Sequence, residues 1–215
     1  MPWPARSIHN KQLRMPFPGC EDMHFSYAQA AQDLFVLSVL NGKREGKYLE
    51  MGCWMPQEIN NSYLLEKHFA WTGMSFDTDA AAVNYFNSLR SNHAHVADCT
   101  KLDYDFIIKT LGPYIDYLSL DLEPADVTLQ CLQSIPFDRL HFKVITFEHD
   151  KYRFGDAVRD AGRKIFYDAG YELVVSDLGE PACNAFEDWY VRDVLKDWVK
   201  PFYMHNPSPE ELLFK

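Results

Sequence analysis

Between residues 47 and 150 short apolar runs recur, each closing on an acidic residue and each followed by a stretch long enough for a helix. The runs are KYLEMG with Glu50, TGMSFDTD with Asp77, HAHVADCT with Asp98, IDYLSLDLE with Asp121, and FKVITFEHD, which closes on Glu148 and His149. The intervening segments 61–69, 80–89, 103–111 and 126–133 carry helical spacing. Strands alternating with helices over more than a hundred residues predict right-handed βαβ units, and so an α/β fold with a doubly wound, mostly parallel sheet. Ahead of them, 26–40 (SYAQAAQDLFVLSVL) sets Ala30, Leu34, Leu37 and Val39 at near-helical spacing, with Ser26 as the expected N-cap. Behind them, 154–169 is a predicted helix. YELVVSD and DWYVR, with Gly179 and Pro181 between, then predict an antiparallel hairpin.

The two ends lack such periods. Pro2, Pro4, Pro16, Pro18 and Gly19 mark residues 1–25 as an arm outside the core, and Pro201, Pro207 and Pro209 mark 200–215 as a tail. That leaves 26–199 as the α/β domain. The chain has 215 residues, 47% of them hydrophobic, enough to bury a substantial core. Acidic residues outnumber basic ones by 31 to 21, giving a net charge of -10, the wrong sign for a phosphate backbone or an anionic membrane. Neither nucleic acid nor membrane is therefore an expected partner. The start shows no apolar signal core, no run reaches the length of a membrane span, and the five scattered cysteines form no CxxC. A reducing, cytoplasmic setting is expected, without structural metal.

In an open parallel sheet the ligand lies beyond the carboxyl ends of the strands, where the acids Glu50, Asp77, Asp98 and Asp121 fall. A ring of acids suits a ligand that offers hydroxyls, amines or positive charge and repels a pyrophosphate. The first turn, EMGCWMPQEINNS, has Gly52 alone where a dinucleotide cradle requires GxGxxG. One glycine suffices for a nucleoside bearing a small carboxylate, such as S-adenosylmethionine (SAM), whose sulfonium also matches the acidic rim.

SYAQAAQDLFVL, YLEMG with NNSYLLEK, WTGMSFDTD, IDYLSLDLEPAD, ITFEHD and the YELV…DWYVR ending together resemble the FkbM-type SAM-dependent methyltransferases, over about 26–192. The resemblance implies a class I methyltransferase sheet of seven strands, the last hairpin strand antiparallel. It also implies SAM as cofactor and methyl transfer to a hydroxyl of a small molecule or sugar. By position it implies that Glu50 and Gly52 belong to the first SAM motif, that Ser62 opens the next helix near the methionine part of SAM, and that Asp77 lies at the ribose and Asp98 and Cys99 at the adenine. It places Asp121 and Glu123 beside the transferred methyl, and Gln32 reaching toward the cofactor end of the sheet. His149 is the nearest candidate for a general base, with Asp121 or Glu123 able to assist. The chain departs from the pattern at Cys53-Trp54-Met55-Pro56, where the family carries a glycine-richer loop, and at Glu123-Pro124-Ala125-Asp126.

Plainer readings stand beside these. Any one of Asp77, Asp98 and Asp121 could be a helix N-cap, and so could Ser62, while Gln32 could face solvent. His149 could pack a strand edge, His93 and His95 lack a third ligand, and no basic residue flanks Cys53 to activate it. The bulky first loop motivates an alternative, a methyltransferase-like scaffold that binds without turnover. Further rivals are a nucleotide-dependent oxidoreductase on the same sheet and a metal-dependent hydrolase using Asp121, Glu123 and His149.

Overall fold

The computed structural model describes residues 6–8, 11–179 and 184–215. In chain order the first half holds β1 (Arg6–Ser7), β2 (Phe25–Ser26), α1 (Gln32–Val39), β3 (Lys47–Met51), α2 (Tyr63–Phe69), β4 (Thr72–Asp77), α3 (Ala80–Leu89), β5 (Ala94–Val96), α4 (Tyr104–Leu111) and β6 (Tyr114–Leu120). There follow α5 (Ala125–Ser134), β7 (His141–Glu148), α6 (Lys151–Phe154), α7 (Asp156–Asp168), β8 (Glu172–Gly179), β9 (Ala185–Val191), α8 (Lys196–Val199), β10 (Met204–His205) and α9 (Pro209–Leu213). Pro2, Pro4, Pro181 and Cys183 lie outside the described residues.

Eight strands form one sheet in the order β10-β8-β9-β7-β6-β3-β4-β5, with β9 antiparallel to both its neighbours and the other pairs parallel. The expected parallel sheet and antiparallel hairpin are both present, and the sheet has one strand more than the seven expected. The extra strand, β10, comes from the segment read as a tail. From β3 the chain winds outward through β4 and β5, then returns to β6 and β7 on the other side. The strand order therefore reverses between β3 and β6, where Met51 pairs with Leu120.

Alternation along the central strands sends one set of side chains to each face. Leu49, Met51, Leu118 and Leu120 meet Ile107 and Leu111 of α4, Leu132 of α5 and Phe166 of α7. On the other face Tyr48, Tyr117 and Val144 pack with Leu34 and Leu37 of α1 and Leu64 of α2.

Both ends join this second face, which corrects their reading as arm and tail. Every residue of α1 is buried, and a helix enclosed on all sides needs cover beyond the sheet. Leu13, Phe17, Met23, Phe202, Leu212, Leu213 and Phe214 belong to the same apolar cluster. Phe202 packs edge-on against Phe35, the Ser38 hydroxyl donates to the Met15 carbonyl at 3.1 Å, and the Arg14 amide donates to the Leu213 carbonyl at 2.7 Å. The prolines leave these stretches without a period, but their scattered large side chains still pack.

Helix α1, with Ala31 at its N-cap position, begins five residues later than the Ser26 cap predicts. Ser26 sits in β2 and its hydroxyl donates to Asp33 at 2.6 Å, while Asp33 also accepts the amides of Tyr27 and Leu34 at 2.8 Å each. This buried carboxylate fastens the approach to α1 in place of a cap. Among the described residues no helix is long and apolar enough to cross a membrane.

Candidate functional site

A cleft of about 710 Å³ opens at the reversal point, beyond the carboxyl ends of β3, β4, β6 and β7. Its floor is the turn after β3. Gly52 has φ 87°, a left-handed conformation that favours glycine. A Cβ there would stand 1.7 Å from the Asp121 carbonyl oxygen, so the two loops touch backbone to backbone. The Gly52 and Cys53 amides both donate to the Phe76 carbonyl, at 2.8 and 3.3 Å. Of Cys53, Trp54, Met55 and Pro56, only Trp54 lines the cleft, and Cys53 and Pro56 are turned inward and buried. Burial and the nearby Glu50 push the Cys53 thiol up, away from any nucleophilic role.

Asp77 ends β4 on the cleft wall. One carboxylate oxygen accepts the Trp54 amide at 2.9 Å and the other accepts the Asp79 amide at 2.9 Å, which fixes the side chain and leaves lone pairs for a ligand. Asp79 caps α3 through the Ala81 and Ala82 amides. The two acids of Asp77-Thr78-Asp79 thus divide the tasks, cap and cleft.

Asp121 and Glu148 line the inner end of the cleft side by side. Burial, first of all, pushes both carboxyls up, and the neighbouring Asp121 adds to the rise of Glu148. The Asn61 side chain donates to the Ser119 hydroxyl at 2.9 Å and tempers the rise of Asp121. Glu123 is at the mouth, paired with Arg153 at 2.8 Å, and Arg153 reaches Asp150 at 3.4 Å. Tyr152, Phe186 and Gln29 complete the wall.

The other expected site residues lie outside the lining. Glu50 is buried beneath the turn, where it accepts the Ser62 hydroxyl at 2.9 Å and the Ser75 hydroxyl at 2.8 Å. Ser62 is at the head of α2, but its side chain makes no cap. Both residues belong to a network that closes on Arg90. The Arg90 guanidinium is fully enclosed and donates to Glu66 at 2.8 Å, the Pro56 carbonyl at 2.8 Å, Asn60 at 2.9 Å and Ser62 at 3.0 Å. Glu50 and Ser62 therefore support the turn from below.

Asp98 caps the short 3-10 helix Cys99–Lys101 and pairs with Lys101 at 2.6 Å. The hydrogen bonds from Lys101 and Thr100 lower it to about 2. Cys99 is buried against Cys131, whose contact, with burial, pushes its thiol up. Gln32 is buried rather than solvent-facing. It accepts the Ala30 amide at 2.8 Å and donates to Glu187 at 2.9 Å, while Gln29, three residues earlier, is on the cleft.

His149, the expected base, is fully buried on the opposite side of β7 from Glu148. Its Nδ1 accepts the Lys151 amide at 3.2 Å and its Nε2 faces Asp188 at 3.4 Å. Despite burial, the Arg163 fork, at 2.7 and 2.8 Å, holds Asp188 low. Neighbours along a strand point to opposite faces. In FEHD this puts Glu148 toward the cleft and His149 into the α7 face, and that alternation is the signal that identifies Glu148 from sequence. Arg90, Gln29, Glu148, Asp150, Tyr152 and Phe186 were all missed as functional residues.

Glu187 sits behind the pair, accepting from Gln32, and burial pushes it up to about 8. An acid raised in the folded state takes up a proton on folding. Its contribution is complete at acid pH and is lost as pH rises from the ordinary glutamate range through about 8. Glu187→Gln, which keeps the shape of the protonated form, is expected to melt with wild type at pH 5 and above it at pH 9. Melting curves across that range check this, and parallel curves would contradict it.

No family model and no curated protein matches the sequence. Solved structures do match in fold. The putative rRNA-methylase of Clostridium thermocellum superposes with TM-score 0.52 at 12% identity over 75% of this chain and 92% of that one. The N-methyltransferase NodS from Bradyrhizobium japonicum WM9, in complex with S-adenosyl-L-homocysteine, gives 0.50 at 10% identity over 77% and 89%. The fold is that of the class I methyltransferases.

Proposed function

We propose that this chain is a SAM-dependent methyltransferase acting on a small polar molecule. The observation that carries the reading is the joint placement of Gly52, Asp77 and Asp121 at the point where the strand order reverses. That crevice is where open α/β sheets take their ligands. The residues fit the cofactor. Gly52 lets the turn after β3 lie flat against the Asp121 backbone as the floor of the cleft, Asp77 presents lone pairs suited to a ribose diol, and among the described residues no Lys, Arg or His lines the cleft to favour a pyrophosphate. The fold shared with NodS, solved with S-adenosyl-L-homocysteine, supports the same choice.

When bound, SAM supplies an electrophilic methyl on a sulfonium. Gly52 and Asp77 would hold its nucleoside and amino-acid parts across the ends of β3 and β4. Asp121 and Glu148 would stand beside the methyl, orient the acceptor and take its proton. Holding acceptor and methyl in line within a closed cleft can supply about 7–11 kcal/mol of the barrier reduction. The FkbM-type resemblance implies a hydroxyl acceptor on a small molecule or sugar. Trp54 is the one member of the bulky turn on the cleft, so the observation that motivated a non-catalytic scaffold does not close the site.

Asp77→Ala is expected to weaken S-adenosylhomocysteine binding at least tenfold, about 1.4 kcal/mol, by calorimetry on a variant with an unchanged melting curve. An unchanged dissociation constant would remove Asp77 from the site.

A further inference from the structure

Buried acids elsewhere in the molecule have cationic or hydrogen-bonding partners. Glu66 meets Arg90 at 2.8 Å, Asp116 meets Lys43 at 2.6 Å, Asp188 meets Arg163 at 2.7 Å, and Asp33 is satisfied by Ser26 and backbone amides. Asp121 and Glu148 differ in lacking a cationic partner. Among the described residues neither has an ion-pair partner, and the two carboxyls act on each other. Glu148 is only 9% exposed, and it lines the cleft. Negative charge on these two carboxyls lies in a poorly solvated place, where an unpaired charge is costly.

The surroundings narrow what fills it. Tyr152 lines the cleft with Phe186 beside Asp150 and Glu148, its ring half-exposed, and burial, then Asp150 and Glu148, raise its phenol. Aromatic faces beside carboxylates suit an organic cation. A hard divalent ion would need more oxygen ligands close together. Among the described residues the one trio with donor atoms within 4.8 Å of one another is His149, Asp177 and Asp188, and Arg159 and Arg163 already occupy its carboxylates. Glu123 and Asp150 at the mouth are matched by Arg153. Asp77, Asp121 and Glu148 are without an ion pair among the described residues, so the cleft carries more negative charge than one sulfonium offsets, and Asp121 and Glu148 hold the least solvated part of it.

We infer that the acceptor is a small organic amine, held as an ammonium against Glu148 and Asp121 with the Tyr152 ring beside it, and that methyl transfer goes to nitrogen. The inference rests on the methyltransferase reading and replaces the hydroxyl acceptor implied by the resemblance. A neutral hydroxyl can donate one hydrogen bond but leaves the charge of the pair in place. An alkylammonium, with a pKa near lysine's of about 10.4, neutralises the pair and can yield a proton to it. In the step, a proton passes from the ammonium to the carboxyl pair. The freed nitrogen lone pair forms the N–C bond as the methyl–sulfur bond breaks, its electrons remaining on sulfur. The methylated nitrogen then carries the positive charge, until a further proton leaves to solvent.

The test uses the full chain saturated with S-adenosylhomocysteine, which lacks the sulfonium charge, and matched probes: 2-phenylethylamine against 2-phenylethanol, and glucosamine against glucose. Binding is read by titration calorimetry and ligand-observed NMR. At least one amine is expected to bind tenfold or more tighter than its alcohol. That preference is expected to vanish in E148Q, and in D121N should E148Q not fold. Equal or tighter binding of the alcohols, binding of neither amine, or a preference that survives both variants would overturn the inference. So would magnesium ions that bind at the pair and displace the amine. Failure of wild type to bind S-adenosylhomocysteine at all is a separate result, against the methyltransferase reading itself.

Discussion

Replacing Arg90 with Met should lower the melting temperature by about 6–20 °C. The guanidinium is fully enclosed and is shared among Glu66, the Pro56 carbonyl, Asn60 and Ser62. Methionine fills part of the volume and supplies none of the donors, so Glu66, 5% exposed at its side chain, stays behind as a buried charge. Removing one partner of such a pair typically costs about 3–5 kcal/mol, and each kcal/mol moves the midpoint of a domain this size by about 2–4 °C. Burial alone would raise Glu66, but Arg90 holds it below the ordinary value. A depressed acid stabilises above its unfolded pKa and loses that contribution as pH falls through its folded pKa. The gap between wild type and Arg90→Met should accordingly narrow toward acid. Scanning calorimetry at pH 7 and pH 4 checks both statements, and a drop under about 2 °C at pH 7 would contradict the first.

Gly52→Ala should abolish cofactor binding while most of the fold survives. The position has φ 87° and an added Cβ would meet the Asp121 carbonyl oxygen at 1.7 Å, so the turn after β3 must part from the loop after β6. Both loops border the cleft. A loss of 100-fold or more in S-adenosylhomocysteine affinity is expected, about 2.7 kcal/mol. Gly155→Ala separates strain from collision. Gly155 has φ 77° and ψ -165° with nothing within 4 Å of its added Cβ, so that variant pays only the cost of a backbone conformation nearly confined to glycine, about 1–3 kcal/mol, and should bind normally. Equal affinities for the two variants would show that the contact with Asp121 does not shape the site.

The sheet was legible because its strands are short, apolar and closed by acids, and each is followed by a helix-length segment. The hairpin was legible from its two strand-like runs. The ends were not, because Leu13, Phe17 and Phe202 sit among prolines in irregular chain with no period to read. One clue was present: DLFVLSVL is apolar around most of its circumference, and such a helix requires cover on the side away from the sheet.

Within the site, the strand-end acids were found as a set, but sequence alone could not say which face each one met. Asp77 and Asp121 reach the cleft, Asp98 caps a turn, and Glu50 is sealed below the floor. His149 drew attention as a titratable imidazole, although alternation along β7 sends its neighbour Glu148 to the ligand side. Arg90 follows a helix and reads as a surface cation. Only the folded path of α2, α3 and the turn after β3 brings Glu66, Asn60 and Ser62 around it.

The most direct measurement is titration of the purified chain with S-adenosylhomocysteine, with NADH as a control. The account predicts one site per chain with micromolar affinity, no response to NADH, and loss of the signal in Gly52→Ala. A folded sample that binds neither SAM nor S-adenosylhomocysteine would contradict it and leave the cleft to another ligand.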